Sequence, residues 1–169
     1  LFVFVATAQT VEPDLLIVNG RVVNGTGNSW FKADIAIKGD RIVEVKKGLK
    51  EKYPSVRTID AANKIVAPGF IDVHGHIEGS IFERPTADNY IYDGVTTVVT
   101  GNCGSGADDI GVFLKGVDSI RTSINVASLA GHNTIRRLGM GLENRKATVD
   151  EMKKMEAITL KAMQDGAVG

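Results

Sequence analysis

What this chain has least of narrows its chemistry first. Cys103 is the single cysteine in 169 residues, so no intramolecular disulfide can form and the fold rests on its apolar core. Charge of neither sign is in excess: 20 Lys and Arg offset 20 Asp and Glu, for a formal net charge of +0. With no long basic run either, this argues against nucleic acid or an anionic membrane as a partner and leaves a small molecule as the expected one. The apolar run at the start, Leu1 to Val5, is far shorter than the roughly 20 residues that a bilayer crossing needs. What the chain does have is apolar content of 43%, enough for a packed core in one good-sized domain or two small ones.

That opening run leads into Ala6-Thr7-Ala8, which fits the small-x-small cleavage site of a secretory signal peptide, with Gln9 as the first mature residue and without a basic n-region. On this reading residues 1–12 are a signal remnant and linker, and the protein is secreted or periplasmic. The alternative is an ordinary N-terminal strand in a cytoplasmic protein. An unpaired thiol in an exported protein asks for a reason. Metal ligation is one, and a small buried hydrophobe is the other.

Residues 13–67 read as β structure, the N-terminal portion of a small β domain. Leu15 to Val18 and Arg21 to Val23 flank Asn19-Gly20, a strong short hairpin signal because a type I′ turn needs positive φ at both central residues. A second hairpin is expected around Gly39-Asp40, between Asp34–Ile37 and Ile42–Val45. Two further alternating runs follow, Val56–Ile59 and Lys64–Val66.

From Pro68 the pattern changes to strands alternating with helices. Pro68 to His76 reads as a short buried strand ending in two histidines, with Phe70, Asp72, His74 and His76 on one face. Gly94 to Thr100 is a β-branched run expected to be buried on both faces. Asp108 and Asp109 can cap a helix carrying Ile110, Phe113, Leu114, Val117 and Ile120 at helical spacing. Ser123–Ala130 is a third strand. Thr148 to Glu151 forms a capping box for a helix with Met152, Met155 and Ile158 on its apolar side, ended by Gly166.

Strand and helix in alternation imply a parallel sheet with right-handed crossovers, in which function collects at the carboxyl ends of the strands. The three strand ends carry His74 and His76, then Cys103, then His132. Neutral imidazole and thiolate both suit zinc, in a site that keeps a position open for water when it is catalytic. Two readings stand for Asp72: a carboxylate that fixes a histidine tautomer, or an interior acid satisfied by backbone or a basic partner. His132 either faces the substrate or bonds to neighbouring loop backbone.

The run Asp14 to Gly27, then Ala67 to His76, resembles the opening of an amidohydrolase-superfamily enzyme. Gly94 to Val99 followed by Gly101-Asn102-Cys103-Gly104, and later Ala127 to His132, are similar to the N-acyl-D-amino-acid deacylases, or D-aminoacylases. The resemblance covers nearly all of the chain from residue 14. Its cysteine segment is the specific part, since hydantoinases and dihydroorotases usually bridge their metals with a carboxylated lysine.

The resemblance implies an α/β fold: the N-terminal part of a (β/α)8 TIM barrel over residues 68–169, preceded by strands of a small β-sandwich domain. It implies that His74, His76 and Cys103 are ligands of one or two zinc ions, and that the enzyme hydrolyses a linear amide, an N-acyl-D-amino acid or D-residue peptide. Relatives often carry an aspartate soon after the histidine pair. Here Glu78 either replaces it or is a solvated loop acid. Further histidine ligands and the proton-shuttling aspartate are expected downstream of Gly169, so residues 1–169 alone are expected to be poorly soluble and inactive. The competing readings are a dihydropyrimidinase-, dihydroorotase- or dipeptidase-like amidohydrolase, and a non-catalytic descendant that binds a ligand on the same rim.

Overall fold

The structure is a computed structural model and describes residues 11–169. The expected signal segment therefore lies almost wholly outside the described residues. The chain divides into two compact units that meet in sequence at Pro68 and Gly69.

The first unit is a single sheet. Its elements are β1 (Leu15–Val22), β2 (Phe31–Lys38), β3 (Arg41–Lys46), a one-turn helix α1 (Leu49–Lys52), β4 (Arg57–Asp60) and β5 (Ile65–Val66). The order is β3-β2-β1-β4, with β5 beside the second half of β1. β2 and β3 form the hairpin expected around Gly39-Asp40, closed by the pair Lys38 and Arg41.

The hairpin expected at Asn19-Gly20 is not formed. β1 runs straight through these residues, and the register against β2 steps from Ile17–Ile35 to Gly20–Ala33, so β1 holds one extra residue there. Asn19 takes the positive φ, +63°, that the dipeptide signals, but spends it on a β-bulge. The bulge reverses the alternation of the strand. Leu16 and Val18 pack with Ala36 and Leu49, whereas Val22 joins Ile17, Ala33 and Ile35, so residues of opposite parity share a face. Asp34 holds the distortion in place. Its carboxylate, 9% exposed, accepts the backbone N–H of Asn19 at 3.0 Å and that of Leu49 at 3.0 Å.

The second unit contains β6 (Phe70–Asp72), α2 (Ser80–Glu83), α3 (Asp88–Tyr92), β7 (Val95–Thr100), α4 (Ile110–Ile120), β8 (Asn125–Ser128), α5 (His132–Met140) and α6 (Val149–Gln164). β6, β7 and β8 form a parallel sheet in that order, as the alternation of strand and helix requires. Past the end of β8, Val168 N–H donates to the Ser128 carbonyl and Ala130 N–H to that of Gly169, at 2.9 and 2.8 Å, which starts a further strand position. Val98, Phe113, Val117, Ile124, Ile77 and Ile81 make the main core.

Two burial expectations need correction. β7 is fully covered only at Val98 and Thr100, both at 0% exposure, while Thr96 is exposed and Val95, Thr97 and Val99 are half-buried. Among the described residues β6 is not a buried strand: it pairs with β7 alone, and Phe70 and Ile71 are 61% and 62% exposed.

Local signals in the helices hold. Asp109 caps α4, accepting from Val112 N–H at 2.9 Å, and also receives Lys161 of α6 at 3.1 Å. At the start of α6, Thr148 and Glu151 form the full capping box. Among the described residues, no helix is long and apolar enough to cross a membrane.

The Glu151 carboxylate is bound by Arg145 and by Thr148 N–H. These bonds, Arg145 first, hold its pKa down at about 2, from an ordinary 4.5. A depressed folded-state pKa stabilises the fold above the unfolded value and loses that effect as pH falls through the folded one. The difference in melting temperature between wild type and Glu151→Gln is therefore expected to shrink as pH drops from about 4.5 towards about 2. Thermal melts at several pH values check this; a difference that stays constant refutes it.

Candidate metal centre

The parallel sheet sets the carboxyl ends of β6 and β7 side by side, and the histidines and the cysteine leave from those ends. β6 stops at Asp72, so His74 and His76 stand on the loop after the strand rather than on its face, as alternation alone would have it. The loop stays locked to β7 through Gly75 N–H, which donates to the Val99 carbonyl at 2.9 Å. Gly75 is required at this point: a Cβ there would lie 2.4 Å from Cγ1 of Val98. The small residue between the histidines lets the backbone press on β7 while both imidazoles turn outward.

Cys103 occupies a tight turn, Asn102 to Ser105. Ser105 N–H donates to the Asn102 carbonyl at 3.1 Å, and both central residues have positive φ, +55° at Cys103 and +79° at Gly104. That is the φ signature of a type I′ turn. A side chain in this left-handed region costs about 1–2 kcal/mol. Among the described residues Cys103 is exposed.

The turn brings Sγ of Cys103 to 3.2 Å from Nε2 of His74. The rings of His74 and His76 stand edge to face, 5.5 Å between centroids. One donor atom from each of the three side chains falls within a 4.8 Å set. Bond lengths near 2.0–2.3 Å in tetrahedral geometry put zinc ligand atoms about 3.3–3.6 Å apart. The donor set of two imidazoles and a thiolate thus fits such an ion with small side-chain rotations.

The other candidate residues separate. His132 is the exposed first residue of α5 and does not join the metal-capable group formed by His74, His76 and Cys103. Asp72 accepts the backbone N–H of His74 at 3.0 Å, so the bond it makes orders the loop and not an imidazole ring. Glu78 is half-buried and accepts Gly101 N–H at 2.9 Å, which is not the geometry of a solvated loop acid. Burial first, then the charges of Asp72 and Glu78, raises the pKa of the nearby Tyr90 phenol.

Sequence reasoning missed α5 and with it a contact that matters. Gly104 packs under the start of α5, where Asn133 and Thr134 donate their N–H groups to its carbonyl at 2.7 and 3.2 Å. The helix has no side-chain cap; the cysteine turn serves as one. Ile135 and Leu138 were the available signal, at helical spacing but followed at once by Gly139 and Gly141.

A fold of this class, with its donors gathered at parallel strand ends, agrees with sequence comparison. The profile of the amidohydrolase family matches residues 57–169, and the chain belongs to that family. Among curated proteins it is 34% identical to an N-acyl-D-glutamate deacylase and 32% identical to a D-aminoacylase, both of Alcaligenes xylosoxydans xylosoxydans, over 92% of this chain in each case. It spans only 36% and 37% of their lengths. A solved D-aminoacylase structure with a binuclear metal centre superimposes with TM-score 0.85 at 32% identity, covering 92% of this chain and 37% of that one. The N-acyl-D-glutamate deacylase of Bordetella bronchiseptica, complexed with zinc and a phosphonate inhibitor, matches with the same TM-score and identity, covering 94% of this chain and 38% of that one.

Proposed function

We propose that the protein to which this chain belongs is a zinc-dependent amidohydrolase that deacylates N-acyl-D-amino acids, and that residues from Gly69 onward open its (β/α)8 barrel. The observation that carries this reading is the gathering of His74, His76 and Cys103 donor atoms within 4.8 Å at the ends of two parallel strands. Likeness to deacylases at 34% and 32% identity supports the substrate class.

When bound there, zinc supplies Lewis acidity towards an amide carbonyl and makes water a competent nucleophile near neutral pH. The chain's own residues do the rest of the work assigned to them. His74, His76 and Cys103 would hold the ion. Asp72 fixes the backbone of the loop that bears the histidines, and Gly75 lets that loop lie on β7. Proton delivery to the leaving amine needs a carboxylate or similar group. No residue of this chain is assigned that role.

The test uses the intact protein. Metal analysis is expected to find zinc, and hydrolysis is expected of N-acetyl-D-glutamate or another N-acyl-D-amino acid in preference to the L enantiomer. Turnover of hydantoin or dihydrouracil instead would favour a cyclic-amide amidohydrolase. Protein that binds no zinc and cleaves no amide after zinc is supplied would leave only a binding role.

A further inference from the structure

We infer that Glu78 and Asn102 are positioning residues that hold the Cys103 thiolate in ligating geometry, an inference that rests on His74, His76 and Cys103 being a metal site. The starting point is the strained turn. A cysteine at φ +55° persists only where its surroundings over-determine the backbone, and here the restraints can be counted off around it.

Ahead of Cys103, the half-buried Glu78 side chain reaches across from the histidine loop. Its Oε1 accepts Gly101 N–H at 2.9 Å. Next, the Asn102 side-chain amide donates to the Val99 carbonyl at 2.8 Å and leans towards the Gly75 carbonyl at 3.4 Å. The Val99 carbonyl also receives Gly75 N–H, so one β7 oxygen ties the histidine loop and the cysteine turn together. Behind Cys103, α5 holds the Gly104 carbonyl.

Two of these restraints are side chains that run directly between the histidine loop, or the strand end it lies on, and the cysteine turn. Removing either leaves the three donors in place but frees their spacing. Glu78 acts as an acceptor for an N–H, so glutamine, which keeps the oxygen, should serve nearly as well as glutamate. Asn102 acts as a donor to carbonyl oxygens, so alanine should not replace it.

The experiment loads the intact protein with Co2+ in place of zinc and reads affinity by competition with a chelator, the thiolate-to-cobalt charge-transfer absorption, and the thermal midpoint of the metal-free form. Residues that orient ligands from behind are worth about 10- to 100-fold in metal affinity. Glu78→Ala and Asn102→Ala are each expected to lose affinity on that scale and to weaken or shift the thiolate band. Glu78→Gln should keep both near wild type. If the alanine variants lower the thermal midpoint but keep wild-type affinity and band, the two residues are structural only and the inference fails. Equal loss in Glu78→Gln and Glu78→Ala would also overturn the acceptor role. Wild-type protein with Co2+ bound but no thiolate band, or with no Co2+ bound, overturns the metal reading itself, an outcome distinct from the others. Should Asn102→Ala fail to fold, the two Glu78 variants carry the test.

Discussion

Cys103→Asn is expected to abolish tight zinc binding while leaving the metal-free protein as stable as wild type or slightly more so. The two effects have different origins. Asparagine tolerates left-handed backbone better than most residues, so the turn at φ +55° loses strain and the hydrogen bonds around it survive. The thiolate is gone, and an amide oxygen is a poor zinc ligand. Structural zinc in small peptides binds with about 10–16 kcal/mol spread over four ligands, and by that scale one lost ligand should lower affinity by on the order of a hundred- to a thousandfold. Chelator competition measures the affinity and thermal melting measures the stability. Retained affinity would remove Cys103 from the site; a collapse in stability would mean that the sulfur, not the turn, holds this region together.

The second large effect is expected from Gly101→Ala. Gly101 has φ +82°, and a Cβ on it would lie 2.2 Å from the Leu129 carbonyl oxygen. Both problems are backbone problems, so no rotamer change relieves them. The left-handed conformation costs about 1–2 kcal/mol and overpacking about 1–3 kcal/mol more, for an expected loss of roughly 2–5 kcal/mol. Leu129 N–H donates to the Thr100 carbonyl at 2.8 Å, so the neighbour cannot retreat without breaking the β7–β8 ladder. Gly79→Ala is the control: nothing lies within 4 Å of its Cβ position and its φ is −91°. Urea denaturation of the two variants should show a large drop for Gly101→Ala and almost none for Gly79→Ala. Equal midpoints would mean that the β7 end is far more compliant than its packing indicates.

Features settled within a few residues were legible beforehand. The Gly39-Asp40 hairpin, the Asp109 cap and the Thr148–Glu151 capping box depend on local geometry alone. Asn19-Gly20 was legible only in part. Its positive φ is a local preference, but whether the chain turns back or bulges is decided by Asp34 and Asp60, which take the backbone and side-chain N–H groups of Asn19 at 3.0 and 2.9 Å. Asp60 is 41 residues away, beyond the reach of any window. At the candidate metal centre, the order of strands placed His74, His76 and Cys103 at neighbouring strand ends. It could not show that His132 would be taken up by the first turn of a helix. Nor could it show Glu78 on the Gly101 N–H, since that bond exists only once β6 and β7 have paired. Burial was the least legible property, because an apolar strand such as Phe70–Asp72 reads the same at an edge as at a centre.

The bulge in β1 also bears on the order of folding. It falls where β1 changes partner, from β4 ending at Val18–Asp60 to β5 starting at Arg21–Ile65. On its other side β1 faces β2, which is already joined to β3 by a two-residue turn. Contacts close in sequence form with less loss of chain entropy than distant ones, so β2–β3 can form first, β1 next, and β4 and β5 last. Asp34, on β2, can take the Asn19 backbone N–H as soon as β1 pairs, while the Asn19 side chain gains its Asp60 partner only with β4. A one-residue slip of β1 against β2 would exchange the faces of Leu16 and Ile17, and the Asp34 bond to Asn19 N–H opposes it. Asp60 thus secures the join of β1 to its last partners, accepting the Asn19 side chain on one side and Ala62 N–H at the turn towards β5.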